Sequence, residues 1–369
     1  MSHSHPSAPR ILIVGAAYSG LYAALNLFNI CDGKPHFPSM MNLTPVRVPE
    51  VLPQIKILDE RDGIFHTTAI PLVHVHHSVV DHAWISYGDI PALKRKIVQI
   101  LQGKVIEIDP LQKRAFWRGN KSPAEETRPC ASTRQQYIQD AKSHIASIKD
   151  SRDNPVVVIG GGAVGTEFAA EIKHYHPEQR VILIHSRSTV LSNEPLPEAL
   201  KENTLKTLKR DGVEIILEIR LQLSNGDELV AGHTIWATSR HLPRTDFLPP
   251  ESLNENGFVK VLSTMQFCPT ILKSSMHFVV GDIAEWPGIK RVGRALSMGQ
   301  CAAVNIVKLM ATTSSKQSKE TEAFELQEYP YKWGMFDGPE VYKNSFGTDL
   351  GLSICWGILC LPLPVPAAS

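Results

Sequence analysis

Val156-Val157-Val158-Ile159-Gly160-Gly161-Gly162-Ala163-Val164-Gly165 is the stretch that decides the fold. Four consecutive β-branched residues read as a short strand buried on both faces, since a half-exposed strand would alternate apolar with polar side chains. The glycine run then turns the chain into a helix over Thr166–His174. In such a turn the first glycine permits the tight bend. The second lets backbone approach a pyrophosphate, and the third lets the helix lie close on the strand. The helix start offers unpaired N–H groups and a partial positive charge to phosphates. Gly160, Gly162 and Gly165 are therefore candidate dinucleotide contacts. The alternative, a tight turn without a ligand, stays open at this level.

A second strand, Val181–Ile184, ends in His185-Ser186-Arg187, with position 185 lying 20 residues beyond Gly165, where a ribose-reading side chain is expected. No carboxylate stands among the three. An arginine there suits the 2′-phosphate of NADPH, and neither His185 nor Arg187 repels NADH. A solvated Arg187 that reads nothing is the competing interpretation.

The same grammar opens the chain. Ile11–Val14 reads as a buried strand, Gly15-Ala16-Ala17-Tyr18-Ser19-Gly20 as the turn, and Leu21–Leu27 as the helix. Ala17 takes the place of the middle glycine, so its methyl crowds a pyrophosphate without excluding it. Ile55–Leu58 ends in Asp59-Glu60-Arg61, with Asp59 39 residues beyond Gly20. Pro35, Pro38, Pro45, Pro49 and Pro53 mark the intervening stretch as a long surface loop and account for the excess. Thr234–Ser239 and His277–Asp282 read as further short strands, and a helix is expected over about Ala295–Leu309. Asp282 reads either as a helix N-cap or as a carboxylate toward a flavin ribityl hydroxyl. Lys121–Asp153 and Thr312–Glu322 read as polar connectors. Strands alternating with helices argue for α/β architecture with parallel sheets.

Composition narrows the function. Lys plus Arg number 38 against 37 Asp plus Glu, which leaves a nucleic-acid binder without its basic surplus. Six cysteines without a C-x-x-C pair read as reduced thiols, and no secretory signal or transmembrane run is visible, so a cytoplasmic setting is expected. Pro362, Pro364 and Pro366 break the one apolar stretch that approaches a spanning length. His74, His76, His77 and His82 cluster in sequence, with His74 and His76 on one face if the segment is a strand. They lack a carboxylate or cysteine partner, so no metal is expected. No Gly-x-Ser-x-Gly elbow exists for a hydrolase.

Taken together, Val14–Leu21, Asp59–Gly63 with Phe65-His66, Gly160–Ile172, Trp236-Ala237-Thr238, Val280-Gly281-Asp282 and Phe346–Gly351 running into Ile354-Cys355-Trp356 resemble one family. It is the apoptosis-inducing-factor-like branch of the pyridine nucleotide–disulfide oxidoreductase superfamily, in its fungal form. The resemblance implies two Rossmann-like dinucleotide-binding domains, the second inserted in the first. An FAD-binding domain would span 1–150 and 246–320, an NAD(P)H-binding domain 151–245, and a small C-terminal α+β interface domain 321–369. It implies FAD contacts at Gly15, Ala17, Gly20, Asp59, Arg61 and Asp282, and it places Phe65-His66 near the isoalloxazine. The implied function is hydride passage from NADPH or NADH through FAD to a small-molecule electron acceptor such as a quinone or an aromatic metabolite, in fungal secondary metabolism. One departure stands out. The family's Tyr-Asp-Tyr-Leu strand ending in Ala-Thr-Gly has no counterpart, because Phe116-Trp117-Arg118 runs straight into Gly119-Asn120-Lys121. That trimming favours a second expectation, a flavin- and nucleotide-binding regulatory or assembly protein with little turnover. No catalytic side chain and no oligomeric state is legible.

Overall fold

Each glycine turn is mounted on its own sheet. The first is built from β1 (Arg10–Val14), β2 (Gln54–Asp59), β5 (Val98–Asp109) and β6 (Arg114–Gly119) in the order β1-β2-β5-β6. Its first three strands are parallel, with Ile13 opposite Ile57 and Ile57 opposite Ile100, while β6 returns antiparallel to β5. The second sheet joins β7 (Val156–Ile159), β8 (Val181–Ile184), β9 (Val213–Ile216) and β10 (His233–Trp236) in the all-parallel order β10-β7-β8-β9. A short antiparallel pair, β3 (Gly63–Phe65) with β4 (Trp84–Ser86), stands apart from both. The computed structural model describes residues 8–37, 42–119, 131–194, 196–219, 230–238, 243–268, 276–288, 290–314 and 325–330. The Phe346–Trp356 motif and nearly all of the expected interface domain lie outside the described residues.

Helices cover the sheets where the sequence is apolar on both faces. On the second sheet, Val156 and Val158 pack with Phe168 and Ile172 of α4 (Ala163–Tyr175), while Val157, Ile182 and Ile184 form a separate cluster. Burial on both faces explains the unbroken β-branched run. α5 (Glu198–Arg210) adds Leu208 to the first of these faces. On the first sheet, α1 (Tyr18–Cys31) contributes Leu21, Leu25 and Phe28 to a core shared with Ile55 and Ile57. The long α6 (Val292–Ser314) adds Ala303, Val304 and Val307 to that same core, although the second sheet intervenes in sequence. A Cβ at Gly299 of α6 would collide with the Ser19 carbonyl oxygen and lie 3.1 Å from Ala23 N, so the two helices meet through small residues.

Three expectations change. The presumed connector over Lys121–Asp153 contains α3 (Arg134–Asp150), capped by Thr133, whose side chain accepts the Gln136 N–H. Tyr137, Ala141, Ile145 and Ile148 recur at three- and four-residue steps and are buried, which is enough of an apolar stripe to dock a helix. His277–Val280 forms no strand; Phe278 makes a single bridge to Gln266. His74 and His76 do not share a strand face, because Pro71 opens the one-turn α2 (Ile70–Val73) and His74 closes it. The missing family strand also leaves a mark. Among the described residues nothing pairs with the second edge of β1, and Leu12 is 45% exposed there.

Candidate dinucleotide sites

Both turns lie at the carboxyl ends of parallel strands, where open α/β sheets place their ligands. At the first, Gly15 adopts φ +84° and donates its N–H to Leu58 O at 2.8 Å, which turns the chain out of β1. A Cβ at Gly20 would fall on the Gly15 carbonyl oxygen, so only glycine lets α1 lie this close. Ala17 is the N-cap with φ −71° and ψ −160°, an ordinary extended conformation open to alanine. Gly162, its counterpart, has φ −76° and ψ −174°. Neither backbone therefore requires glycine at the middle position.

Asp59 ends β2 with its carboxylate turned into the turn. Oδ2 accepts the Ala16 N–H at 2.6 Å and Oδ1 the Arg61 N–H at 2.8 Å. The Tyr87 hydroxyl donates to Ala16 O, and burial together with the Asp59 charge holds that phenol far above its ordinary range. Arg61 lies half-buried with its guanidinium 4.9 Å from the Phe65 ring centre. Asp282 is brought to the same turn by its neighbour: a Cβ at Gly281, φ +83°, would lie 2.5 Å from Ser19 Oγ. The Asp282 side chain is exposed, its carbonyl accepts Lys290 Nζ, and α6 begins ten residues later, so it is not the cap of that helix.

At the second turn Gly160 has φ +113°, and a Cβ there would meet Ala237 O at 2.6 Å, which places Trp236-Ala237-Thr238 beside it. A Cβ at Gly165 would fall on the Gly160 carbonyl oxygen. His185 stands at the end of β8 as expected, but its ring faces inward. The Gly161 N–H donates to Nδ1 at 3.0 Å, and Nε2 lies 3.0 Å from Ser192 Oγ. Arg187, two residues on, is exposed, as are its neighbours Ser186 and Glu218, and the Glu218 N–H donates to the Arg187 carbonyl at 3.1 Å.

The turns fit a pyrophosphate. A Cβ at Gly15 or Gly162 would meet nothing within 4 Å, and neither α1 nor α4 has a side-chain cap at its start, whereas α3 does. Their first N–H groups are thus left for an anion.

Two features escaped the sequence reading. Glu167, two residues past Gly165, has its carboxyl pushed up to about 7 by burial and then by the Glu171 charge one turn away. Its place in the glycine motif was visible, but its burial was not. The other is a contact across 48 residues: Tyr18 Oη lies 2.9 Å from Nδ1 of the buried His66. Of the histidine cluster, His74 and His76 serve packing, while His77 and His82 are exposed. His74 Nδ1 engages Ile70 O, His144 Nδ1 engages His74 O, and His76 stacks on Tyr175. Among the described residues no helix is long and apolar enough to cross a membrane.

A family model described as pyridine nucleotide-disulphide oxidoreductase matches residues 118–299. Oxidoreductase OXR1 of Ajellomyces capsulatus is 35% identical over 416 residues, covering 98% of this chain and 90% of that protein. Ferroptosis suppressor protein 1 of Mus musculus is 29% identical over 345 residues, covering 85% and 84%. A water-forming NADH oxidase from Lactobacillus brevis, solved with NADH, matches with TM-score 0.55 at 17% identity, covering 81% of this chain and 70% of that one, a likeness of fold. The resemblance drawn from the glycine turns and strand ends therefore holds. The chain belongs to the pyridine nucleotide–disulphide oxidoreductase family, whose members bind FAD and NAD(P)H.

Proposed function

We propose that this protein transfers a hydride from NAD(P)H, by way of bound FAD, to a small acceptor such as a quinone or an aromatic metabolite. The observation that carries this reading is the pair of open, uncapped glycine turns, each at the carboxyl end of its own parallel sheet. Gly15, Ala17 and Gly20 would hold the FAD pyrophosphate, with Asp59, Arg61 and Asp282 around it. Gly160, Gly162 and Gly165 would hold that of the nicotinamide, with Arg187 at its ribose and His185 acting through Gly161. Residues 1–150 with 246–320 would form the flavin half, 151–245 the nicotinamide half and 321–369 an interface domain. A bound flavin supplies the redox chemistry, while the chain binds, orients and tunes it. Lacking a C-x-x-C pair, the chain is suited to direct delivery rather than a dithiol relay. Secondary metabolism as the setting rests on the fungal resemblance.

The deciding experiment uses the purified full chain under anaerobic conditions. A yellow protein whose flavin band bleaches with NAD(P)H and returns on adding a quinone supports the reading. A flavin band that NAD(P)H leaves unchanged overturns it in favour of a second reading, a cofactor-binding regulatory or assembly protein. The edge of β1 that no described strand pairs favours that alternative, since this sheet is the part that would hold the flavin.

A further inference from the structure

Histidines stand where the chain crosses between the two cores. Val73 of α2 is buried in the core of the first sheet, whereas Val75, two residues on, is buried in that of the second. Likewise α3 gives Tyr137, Ala141 and Ile145 to the first core and Ile148 to the second. His74 lies between the two valines, and His144 lies beside Ile145. Their rings meet edge to face with centres 5.4 Å apart. His233, which opens β10, meets His144 in the same way at 4.6 Å. Phe168 of α4 and Tyr137 of α3 complete the cluster, the first 5.8 Å from His144 and the second 5.8 Å from His74.

The surroundings favour neutral rings. A carbonyl oxygen only accepts, so His74 donates Nδ1–H to Ile70 O at 2.9 Å and His144 donates Nδ1–H to His74 O at 2.8 Å. Nε2 of each neutral ring is then bare, and a proton added there brings a charge into the cluster. His233 Nε2 is buried without a hydrogen-bond partner among the described residues. Burial lowers the pKa of all three, that of His144 to about 4, where charge on His233 or His74 lowers it further. Asp140 of α3 acts the other way on His74 without reversing the shift. At the rim, His76 stacks on Tyr175 at 4.1 Å, and His176 Nε2–H donates to Val75 O at 3.0 Å. Burial and then His77, His176, Lys149 and His174 disfavour a charge on His76, while Lys149, Lys142 and His176 act likewise on His77. Glu171 of α4 faces His174.

We propose that the His74–His144–His233 seam is an acid-sensitive lock between the two sheets, closed while the imidazoles are neutral and released when they take up protons. Parting the sheets hydrates the rings and returns their pKa values toward 6.5. The parted form therefore binds more protons below that pH. Closure is complete above about 6.5 and is lost as pH falls through the lowered values. For His144 alone, about 6.5 parted against about 4 closed shifts the balance roughly thirtyfold toward the parted form at pH 5. The lock does not depend on the hydride reading; where that reading holds, parting also interrupts transfer between the two glycine turns.

Small-angle scattering and circular dichroism of the full chain between pH 7.5 and 4.5 test the lock. The radius of gyration should rise reversibly below pH 6 while helix and strand content hold. In His144→Asn the amide nitrogen can still donate to His74 O but does not titrate. The parted form should then be roughly thirtyfold less populated at pH 5, so the expansion moves to lower pH. His82→Asn, at an exposed histidine outside the seam, should expand as the wild type does. A constant radius down to pH 4.5 overturns the lock. So does expansion that comes only with loss of secondary structure, or an unchanged midpoint in His144→Asn. Should that variant fail to fold, ring NMR of the wild type decides: His74, His144 and His233 should titrate below pH 6 together with the expansion, and a His144 ring titrating at 6 or above overturns the lock. Expansion at the expected pH in a protein that NAD(P)H does not bleach removes the hydride reading alone.

Discussion

The Gly161 N–H donates to His185 Nδ1 across 3.0 Å, the same backbone position that at Ala16 donates to Asp59 Oδ2 across 2.6 Å. Each turn is thus pinned by the side chain that ends the neighbouring strand, a carboxylate in one half and a neutral imidazole in the other. Burial and then the Arg187 charge lower the His185 pKa, which keeps Nδ1 bare for this role.

His185→Ala should leave the Gly161 N–H without an acceptor, at a cost of about 1–3 kcal/mol. Denaturant unfolding should read this loss, and NAD(P)H affinity should fall while flavin content holds. The wild-type contribution is full above the unfolded histidine pKa, near 6.5, and is lost as pH falls through the lowered folded value. The variant should therefore lose that part of the acid sensitivity. Wild-type NAD(P)H affinity in His185→Ala would show that the imidazole pins nothing.

Gly165→Ala and Gly162→Ala should separate folding from binding. The first sets a methyl on the Gly160 carbonyl oxygen, so α4 must lift from β7, and a loss of more than about 3 kcal/mol is expected. The second enters open space with an ordinary backbone, as Ala17 does. Its stability should change by under about 1 kcal/mol, with NAD(P)H affinity reduced because the methyl narrows the approach. Thermal melts beside nucleotide titrations read both. Equal melting losses in the two variants would contradict the assignment.

Glu167→Gln should stabilise the protein at alkaline pH. A carboxyl raised to about 7 binds a proton in the fold that the unfolded chain releases near 4.5. Its protonated form therefore supports the fold at low pH, and this support is lost as pH rises from about 4.5 through 7. One pKa unit corresponds to about 1.4 kcal/mol, so with solvent screening the amide should gain about 1–2 kcal/mol at pH 8 and little at pH 5. Identical pH profiles for the two proteins would sink the assignment.

What the sequence made legible was what local rules determine. Gly15, Gly20, Gly160 and Gly165 are required by turns and close approaches within a few residues, and β1, β7 and β8 follow from unbroken apolar runs, β2 from one interrupted by Lys56. α3 was missed because its four buried positions are diluted among Gln, Lys and Ser, so polarity outweighed periodicity. His277–Val280 has a strand's composition, yet a strand also needs a partner, and among the described residues only Gln266 bridges it. The inward His185 ring, the half-buried Glu167 and the Tyr18–His66 contact depend on packing between distant segments, which spacing along the chain does not encode.

Arg187 should decide between the two nicotinamides. His185 is occupied by Gly161 and Ser192, so the exposed Arg187 is the cationic side chain at the end of β8 able to meet a 2′-phosphate, with exposed Ser186 beside it. A guanidinium binds phosphate bidentately, whereas the 2′-hydroxyl of NADH gives it little to hold. A charge-assisted hydrogen bond of about 1.5–3 kcal/mol corresponds to roughly a ten- to hundredfold preference for NADPH. Neither Arg187 nor Ser186 repels NADH, so it should remain a slower donor. Arg187→Glu places a negative charge against the phosphate and accepts hydrogen bonds from the ribose of NADH, which should reverse the order. Flavin bleaching by each nucleotide in stopped flow, in wild type and variant, gives the two ratios. Salt provides a second check, since screening should erode the wild-type preference for NADPH and leave NADH nearly unaffected. If both proteins show the same ratio, Arg187 is a solvated side chain and 2′-phosphate recognition lies elsewhere in the chain.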